Sequence, residues 1–295
     1  MVSLYDIYTA IIKRNVFMLK ESGLRVDERT YLLIILLILM IPIILKLILN
    51  LNFKSSLILF VMYFFSALMV PKILYESKIE KFERNLPKAL YVMVLALESG
   101  RSVIDAINNV IESDIKEVSI VFLKVMTLIT DKKLSFEDAI LLVSNSIDSK
   151  IFRQIGRLLI ENRKYGGELA EVLKTLAKTL EDLQNLKFQL LSVTANGLAV
   201  GLIIICGVVP ATAGIIGGYM NTIASLVPNT PPVTPEQISK CMEYIQIGTG
   251  LFGLLFAIPL YGLKINRMVV ISTICMSIGM MAFYTAIKLV NLLFT

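Results

Sequence analysis

The chain has 295 residues, of which 56% are hydrophobic, with 29 basic and 23 acidic side chains and no histidine. An apolar share of that size, gathered into long runs, excludes a water-soluble globular domain and predicts an all-α multipass membrane protein. Without histidine there is no Ser-His or Cys-His nucleophile, no histidine metal site and no ordinary proton shuttle, so a non-enzyme with no catalytic, cofactor-binding or metal residue is expected.

Residues 1–30 are polar or amphipathic. Leu4, Ile7, Tyr8, Ile11, Ile12 and Val16 recur at helical spacing, predicting an amphipathic helix over 3–20 that lies on the membrane surface or against a soluble domain. The first apolar run begins only at Tyr31, so no cleavable signal is expected and that run is read as an anchor. Tyr31 to Leu49 gives 19 residues, enough to cross about 30 Å of hydrocarbon, and Ser55 to Tyr75 gives a second span. Residues 31–75 thus read as a transmembrane hairpin.

Residues 76–187 hold 34 of the 52 charged residues, 17 basic and 17 acidic, so this block is neutral and lacks the basic stripe that nucleic acid requires. Within it, Ser102-Val-Ile-Asp-Ala-Ile, Ser135-Phe-Glu-Asp-Ala-Ile and Glu168-Leu-Ala-Glu-Val-Leu begin 33 residues apart, the mark of a helical repeat. Ser102 with Asp105, and Ser135 with Asp138, have the spacing by which a hydroxyl and a carboxylate cap the free amides of a first turn. The third copy places Glu168 after Gly166-Gly167, where glycine frees the backbone and the carboxylate favours the positive helix end.

Asn85 and Pro87 predict a fresh helix start. Helices over 88–98, 102–112, 117–130, 135–145, 150–164 and from 168 onward would form a six-helix bundle of three hairpins, with turns around Gly100, Lys132-Lys133 and Gly166. Arg101, Lys132, Lys133, Arg163 and Lys164 would stand at successive hairpin tips, where a partner with acidic patches could dock. Leu169, Leu173, Leu176, Leu180 and Leu183 define a seam on the last helix, which runs on toward the membrane with no glycine or proline before Asn196.

No charge occurs from Phe188 to Pro235. One span ending at Pro210 or a little beyond is expected, with a re-entrant or second crossing at 211–227 as the rival and an outside loop near 221–243. Gly197 with Gly201, and Gly214 with Gly218, have the spacing that lets transmembrane helices approach closely. Tyr244–Leu263 and Met268–Phe294 complete about five spans in 31–75 and 188–295. The bias of lysine and arginine places the N-terminus, residues 76–187 and the Lys264–Arg267 turn in the cytoplasm and the C-terminus outside. The spans carry no aspartate or glutamate, which excludes intramembrane aspartyl proteolysis and carboxylate proton coupling. Gly248-Thr-Gly250-Leu-Phe-Gly253 has the letters of a dinucleotide fingerprint but opens no βαβ unit. Cys206, Cys241 and Cys275 suggest neither a disulfide framework nor a metal site.

Leu86-Pro87, Leu97-Glu-Ser-Gly100-Arg-Ser102-Val-Ile-Asp-Ala-Ile107, Ser135-Phe-Glu-Asp-Ala-Ile140 and Tyr165-Gly-Gly167-Glu-Leu-Ala-Glu-Val-Leu173, in this order, resemble the type II secretion F domain over roughly residues 76–215. A single such domain after two spans is similar to the short form in tight-adherence and archaeal type IV pilus machines. The resemblance implies a platform protein of the cytoplasmic membrane, homo-oligomeric, working with a cytoplasmic hexameric secretion ATPase and with pilin-like subunits drawn from the lipid bilayer. With such a partner, the turns near Gly100 and Gly166-Gly167 are the expected meeting points, and Arg101, Lys132, Lys133, Arg163, Lys164 and Glu168 are the candidate ATPase contacts. Two other classes fit the composition: a permease subunit of an ATPase-driven transporter, and a membrane scaffold without a motor.

Overall fold

The computed structural model describes residues 4–24, 26–161, 166–227 and 233–294; side chains are described for these except at 4–11, 166, 167 and 225. The described residues form helices and no strand: α1 (Leu4–Glu21), α2 (Glu28–Leu49), α3 (Phe53–Glu98), α4 (Val103–Glu112), α5 (Lys116–Thr130), α6 (Phe136–Ser146), α7 (Lys150–Glu161), α8 (Gly166–Ile203), α9 (Val209–Leu226), α10 (Pro235–Tyr261) and α11 (Ile265–Phe294). Five helical stretches are long and apolar enough to cross a membrane: Glu28–Leu49, Phe53–Glu98, Glu168–Ala224, Pro235–Tyr261 and Ile265–Phe294. The chain divides into two compact units, one comprising Glu76–Leu190 and the other the segments before and after it.

The membrane unit is held by small and polar contacts inside a lipid-facing apolar coat, as packing between helices in hydrocarbon requires. Leu33, Leu36, Leu37 and Leu47 of α2 are exposed, whereas Leu45, Leu49, Leu59, Met280 and Phe283 share a core. Asn50 closes α2 in the left-handed region at φ 48°, and its N–H bonds back to the Lys46 carbonyl. Gln246 is fully buried and donates to the Ser55 carbonyl at 3.1 Å; Ser272 donates to the Gly250 carbonyl at 2.8 Å. Tyr63 and Ser277 join hydroxyls at 2.8 Å. On α1, Ile12, Val16 and Leu19 cluster with Val26 and Tyr31, and buried Asn15 donates to Tyr31 Oη at 2.9 Å and to the Leu68 carbonyl at 3.3 Å. The amphipathic helix therefore packs within its own unit, against the start of α2 and the Leu68 carbonyl of α3.

The bundle unit repeats one pattern. Val103, Ala106, Ile107 and Val110 are the buried face of α4, and Phe136, Ala139, Ile140 and Val143, 33 residues on, are that of α6. Leu169 and Leu173 continue the register on α8 and are fully buried. Phe152 takes Phe82 and Phe122 edge-on at 5.2 and 5.8 Å between ring centres. Each such ring contributes about 1.5–3 kcal/mol by burial, and each pair about 0.5–1.5 kcal/mol more. Gly156 lets α7 approach α6, since a Cβ there would lie 3.1 Å from Ile140.

Two boundaries and one seam position differ from the sequence-based expectation. No helix starts at Asn85 and Pro87: α3 runs unbroken through both Pro71 and Pro87. Pro87 deprives the Glu83 carbonyl of its helical donor, and Gln184 on α8 supplies one, its Nε2 donating at 3.1 Å. The helix after Glu168 does not end at Pro210. It passes through Ser192 to Ile203, takes one π turn over Ile204–Val208 and continues as α9 to Leu226; the wider turn sets the missing Pro210 N–H in a stretch already off the α-helical ladder. Leu183 is not in the seam. It is 58% exposed, and Ala177, fully buried, takes the seam position between Leu173 and Leu180.

Candidate partner-binding surface of the helical bundle

α3 and α8 lie antiparallel, braced at three levels. Lys174 meets Glu98 at 3.0 Å, Tyr91 donates to Glu181 at 3.1 Å, and Gln184 reaches Glu83. Between them α4 to α7 run as short hairpins whose connections, 113–115 and 147–149, are too brief for anything but reversal. The chain meets the same stretch of α3 at or just after both turns: Asn85 donates to Glu117, in the first turn of α5, at 3.1 Å, and Ser149 donates to Glu83 at 2.7 Å. The turns at 99–102 and 131–135 consequently share the opposite end of the bundle.

That end is built by capping. Gly100 turns the chain at φ 77°. Ser102 then caps α4: its Oγ accepts from the Asp105 N–H at 3.2 Å, and the Asp105 carboxylate accepts from the Ser102 hydroxyl at 2.6 Å and from its N–H at 3.3 Å. These bonds, with Arg101 adding attraction, hold the Asp105 carboxyl below its ordinary range. Ser135 caps α6 by accepting from the Asp138 N–H at 3.1 Å and donating to its carboxylate at 2.7 Å. Arg101 Nη1 donates to Asn109 at 3.1 Å, which turns its guanidinium along α4. Lys132 and Lys133 are exposed, with Lys133 in the left-handed region at φ 53°.

Gly166 and Gly167 open α8; Arg163 and Lys164 lie outside the described residues. Exposed Glu168 lines a groove of about 640 Å³ with Leu158, Glu171, Val172, Thr175 and Leu176. Val172 stands where the first two repeats place buried Ala106 and Ala139, but it is 40% exposed, so the third repeat leaves open a face that the others close. Among the described residues no hydrogen bond or ion pair joins Arg101, Lys132, Lys133 and Glu168 to one another; they share an end of the bundle and nothing tighter.

The glycines of the membrane unit divide. A Cβ on Gly214 would enter the Phe283 carbonyl, one on Gly218 would lie 2.7 Å from Val290, and one on Gly201 would strike Phe256, while Gly197 faces open space and packs against nothing. Sequence reading missed the closest contacts between α10 and α11, where Gly250 meets Met276, Gly253 meets Ser272 and Gly279 meets Thr249. Of the fingerprint letters, Gly250 and Gly253 are thus packing positions, while Gly248 faces open space. Sequence reading also missed Gln184 and gave Asn85 the role of a helix cap, because their partners, a proline-broken carbonyl and the Glu117 carboxylate, are met only in three dimensions.

Residues 89–217, from the last turns of α3 to the middle of α9, match the model of the type II secretion system (T2SS) protein F family. An uncharacterized protein of Methanocaldococcus jannaschii is 50% identical over 288 residues, 97% of this chain and 96% of its own. The chain belongs to the T2SS protein F family. No solved structure matches it. The matched segment is the capped bundle together with the long helix that leaves it.

Proposed function

We propose that this F-family protein is a non-enzymatic platform of a type IV pilus-like or T2SS-like assembly machine, coupling a cytoplasmic hexameric ATPase to extraction of pilin-like subunits from the membrane. The family match over 89–217 carries this reading. The continuity of α3 and α8 beyond the bundle supports it, because an α-helix transmits displacement along its axis where a flexible linker would absorb it. In this reading the N-terminus, the bundle and the Lys264–Arg267 turn are cytoplasmic, and the C-terminus is outside. The ATPase meets the capped end of the bundle through Arg101, Lys132, Lys133, Arg163, Lys164 and Glu168.

The test is co-purification of the native ATPase and pilins with the tagged full-length chain. Lys132→Glu with Lys133→Glu, and separately Arg163→Glu with Lys164→Glu, should lower ATPase recovery while leaving membrane insertion unchanged. Undiminished recovery in both removes the assignment of this end. Recovery of neither ATPase nor pilins by the wild-type chain removes the platform reading itself.

A further inference from the structure

The other end of the bundle holds a basic groove that the platform reading leaves without a role. Lys81, Arg84 and Lys88 repeat at helical spacing along one exposed face of α3, and the tight turn into α5 faces them with Asp114, Ile115, Lys116 and Glu117, enclosing about 440 Å³. Four cations and two carboxylates line it. Glu117 is already engaged by Asn85 at 3.1 Å. Among the described residues none of Lys81, Arg84, Lys88 and Lys116 makes an ion pair, so the groove keeps a surplus of positive charge converging on a polar concavity. The opposing turn is held in an unusual shape, with Asp114 at φ 46° and Lys116 at φ 30°.

Surface lysines generally neutralise themselves against neighbouring carboxylates, or spread apart. Here three cations of one helix face and one from a second element converge without doing either, an arrangement that favours a compact, multiply accepting anion. The position along α3 narrows its source. Lys81 follows Tyr75, the end of the apolar run, by six residues. That is about 9 Å at 1.5 Å per residue, against a headgroup layer of about 5 to 8 Å on each face of a bilayer. Lysine and arginine stems extend to reach such a layer, and the cytoplasmic leaflet is anionic.

We propose that the groove between Lys81, Arg84 and Lys88 of α3 and the Asp114–Glu117 turn binds a phosphate-bearing anion, the headgroup of an anionic phospholipid. Bound there, the headgroup ties the base of the bundle to the leaflet from which subunits are drawn.

The full-length chain is placed in nanodiscs of phosphatidylcholine alone or mixed with phosphatidylglycerol, and lipids retained on release are weighed by native mass spectrometry. The wild type retains phosphatidylglycerol in preference to phosphatidylcholine. Lys81→Gln with Arg84→Gln and Lys88→Gln weakens that retention about a hundredfold, since each cation near an anionic surface contributes appreciably to binding. Lys124→Gln with Lys150→Gln and Lys178→Gln, exposed lysines elsewhere on the unit, leaves it unchanged. Thermal unfolding of both variants checks that each is folded. Equal retention by the wild type and the α3 variant overturns the site. Inorganic phosphate that binds the wild type as tightly, and is lost in the α3 variant, overturns the lipid source in favour of a soluble phosphate. Displacement by a poly-glutamate peptide but not by inorganic phosphate overturns it in favour of an acidic protein segment.

Discussion

Pro87 leaves the Glu83 carbonyl without its helical donor, and the 3.1 Å bond from Gln184 replaces it from another helix. An unpaired half-buried carbonyl costs about 1 kcal/mol or more, so Gln184→Leu should destabilise the chain by about that much in thermal or denaturant unfolding. The explanation makes a sharper claim about coupling. Pro87→Ala restores an N–H for Glu83, so in that background Gln184→Leu should cost markedly less; equal costs in both backgrounds would show that Gln184 acts by packing instead. Ser102 is a second such position. Ser102→Ala removes the acceptor for the Asp105 N–H and should cost about 1 kcal/mol, the usual price of a lost cap.

The same cap makes a pH prediction. The Asp105 carboxyl is held below its ordinary value of 3.8 by the Ser102 hydroxyl and N–H and by Arg101. A depressed carboxylate gives stability that is complete above its ordinary value and is lost as pH falls through the lowered one. Melting curves of the wild type and Asp105→Asn should therefore differ at neutral pH and converge below pH 3.8. A difference that persists unchanged in acid would mean that the carboxylate's charge is not what the cap uses.

At the scale of elements, what the sequence made legible depended on whether the deciding partner was near in the chain. Ser102 and Ser135 announce α4 and α6 because each cap bonds only three residues ahead. The repeat of 33 residues announces the buried faces, because Val103, Phe136 and Leu169 meet one core. Pro87 and Pro210 misled, since a proline signals a helix end only when nothing distant compensates for its missing donor. The partners of the glycine stripes were equally invisible: spacing offered Gly197 and Gly218 as equals, whereas only α11 decides that Gly218 is crowded. Leucine substitution separates them. Gly218→Leu must displace Val290 and should cost about 1–3 kcal/mol, while Gly197→Leu should stay within about 0.5 kcal/mol in the same unfolding measurement. The proposed contact residues were legible only as types, basic groups at turns; which of them a partner touches lies in that partner's surface.

For the whole molecule, the proposed topology uses the five helices long and apolar enough to cross a membrane, with the two chain ends on opposite faces, and the platform reading stands or falls on which face holds the bundle. The chain carries its own reporter. Cys241, near the start of α10, is exposed, whereas Cys206 and Cys275 are buried. A membrane-impermeant maleimide should label the wild-type chain in right-side-out vesicles at Cys241 and leave inverted vesicles unlabelled. A Lys133→Cys variant made in a Cys241→Ser background should give the opposite result, because Lys133 is exposed on the bundle and Cys241 is not on it. The charge bias behind this orientation is local, set by the lysines and arginines beside each span, and it counts the Lys264–Arg267 turn as heavily as the much larger bundle. If Cys241 labels only in inverted vesicles and Lys133→Cys only in right-side-out ones, the bundle faces away from any cytoplasmic ATPase, and no surface on it can be that motor's docking site.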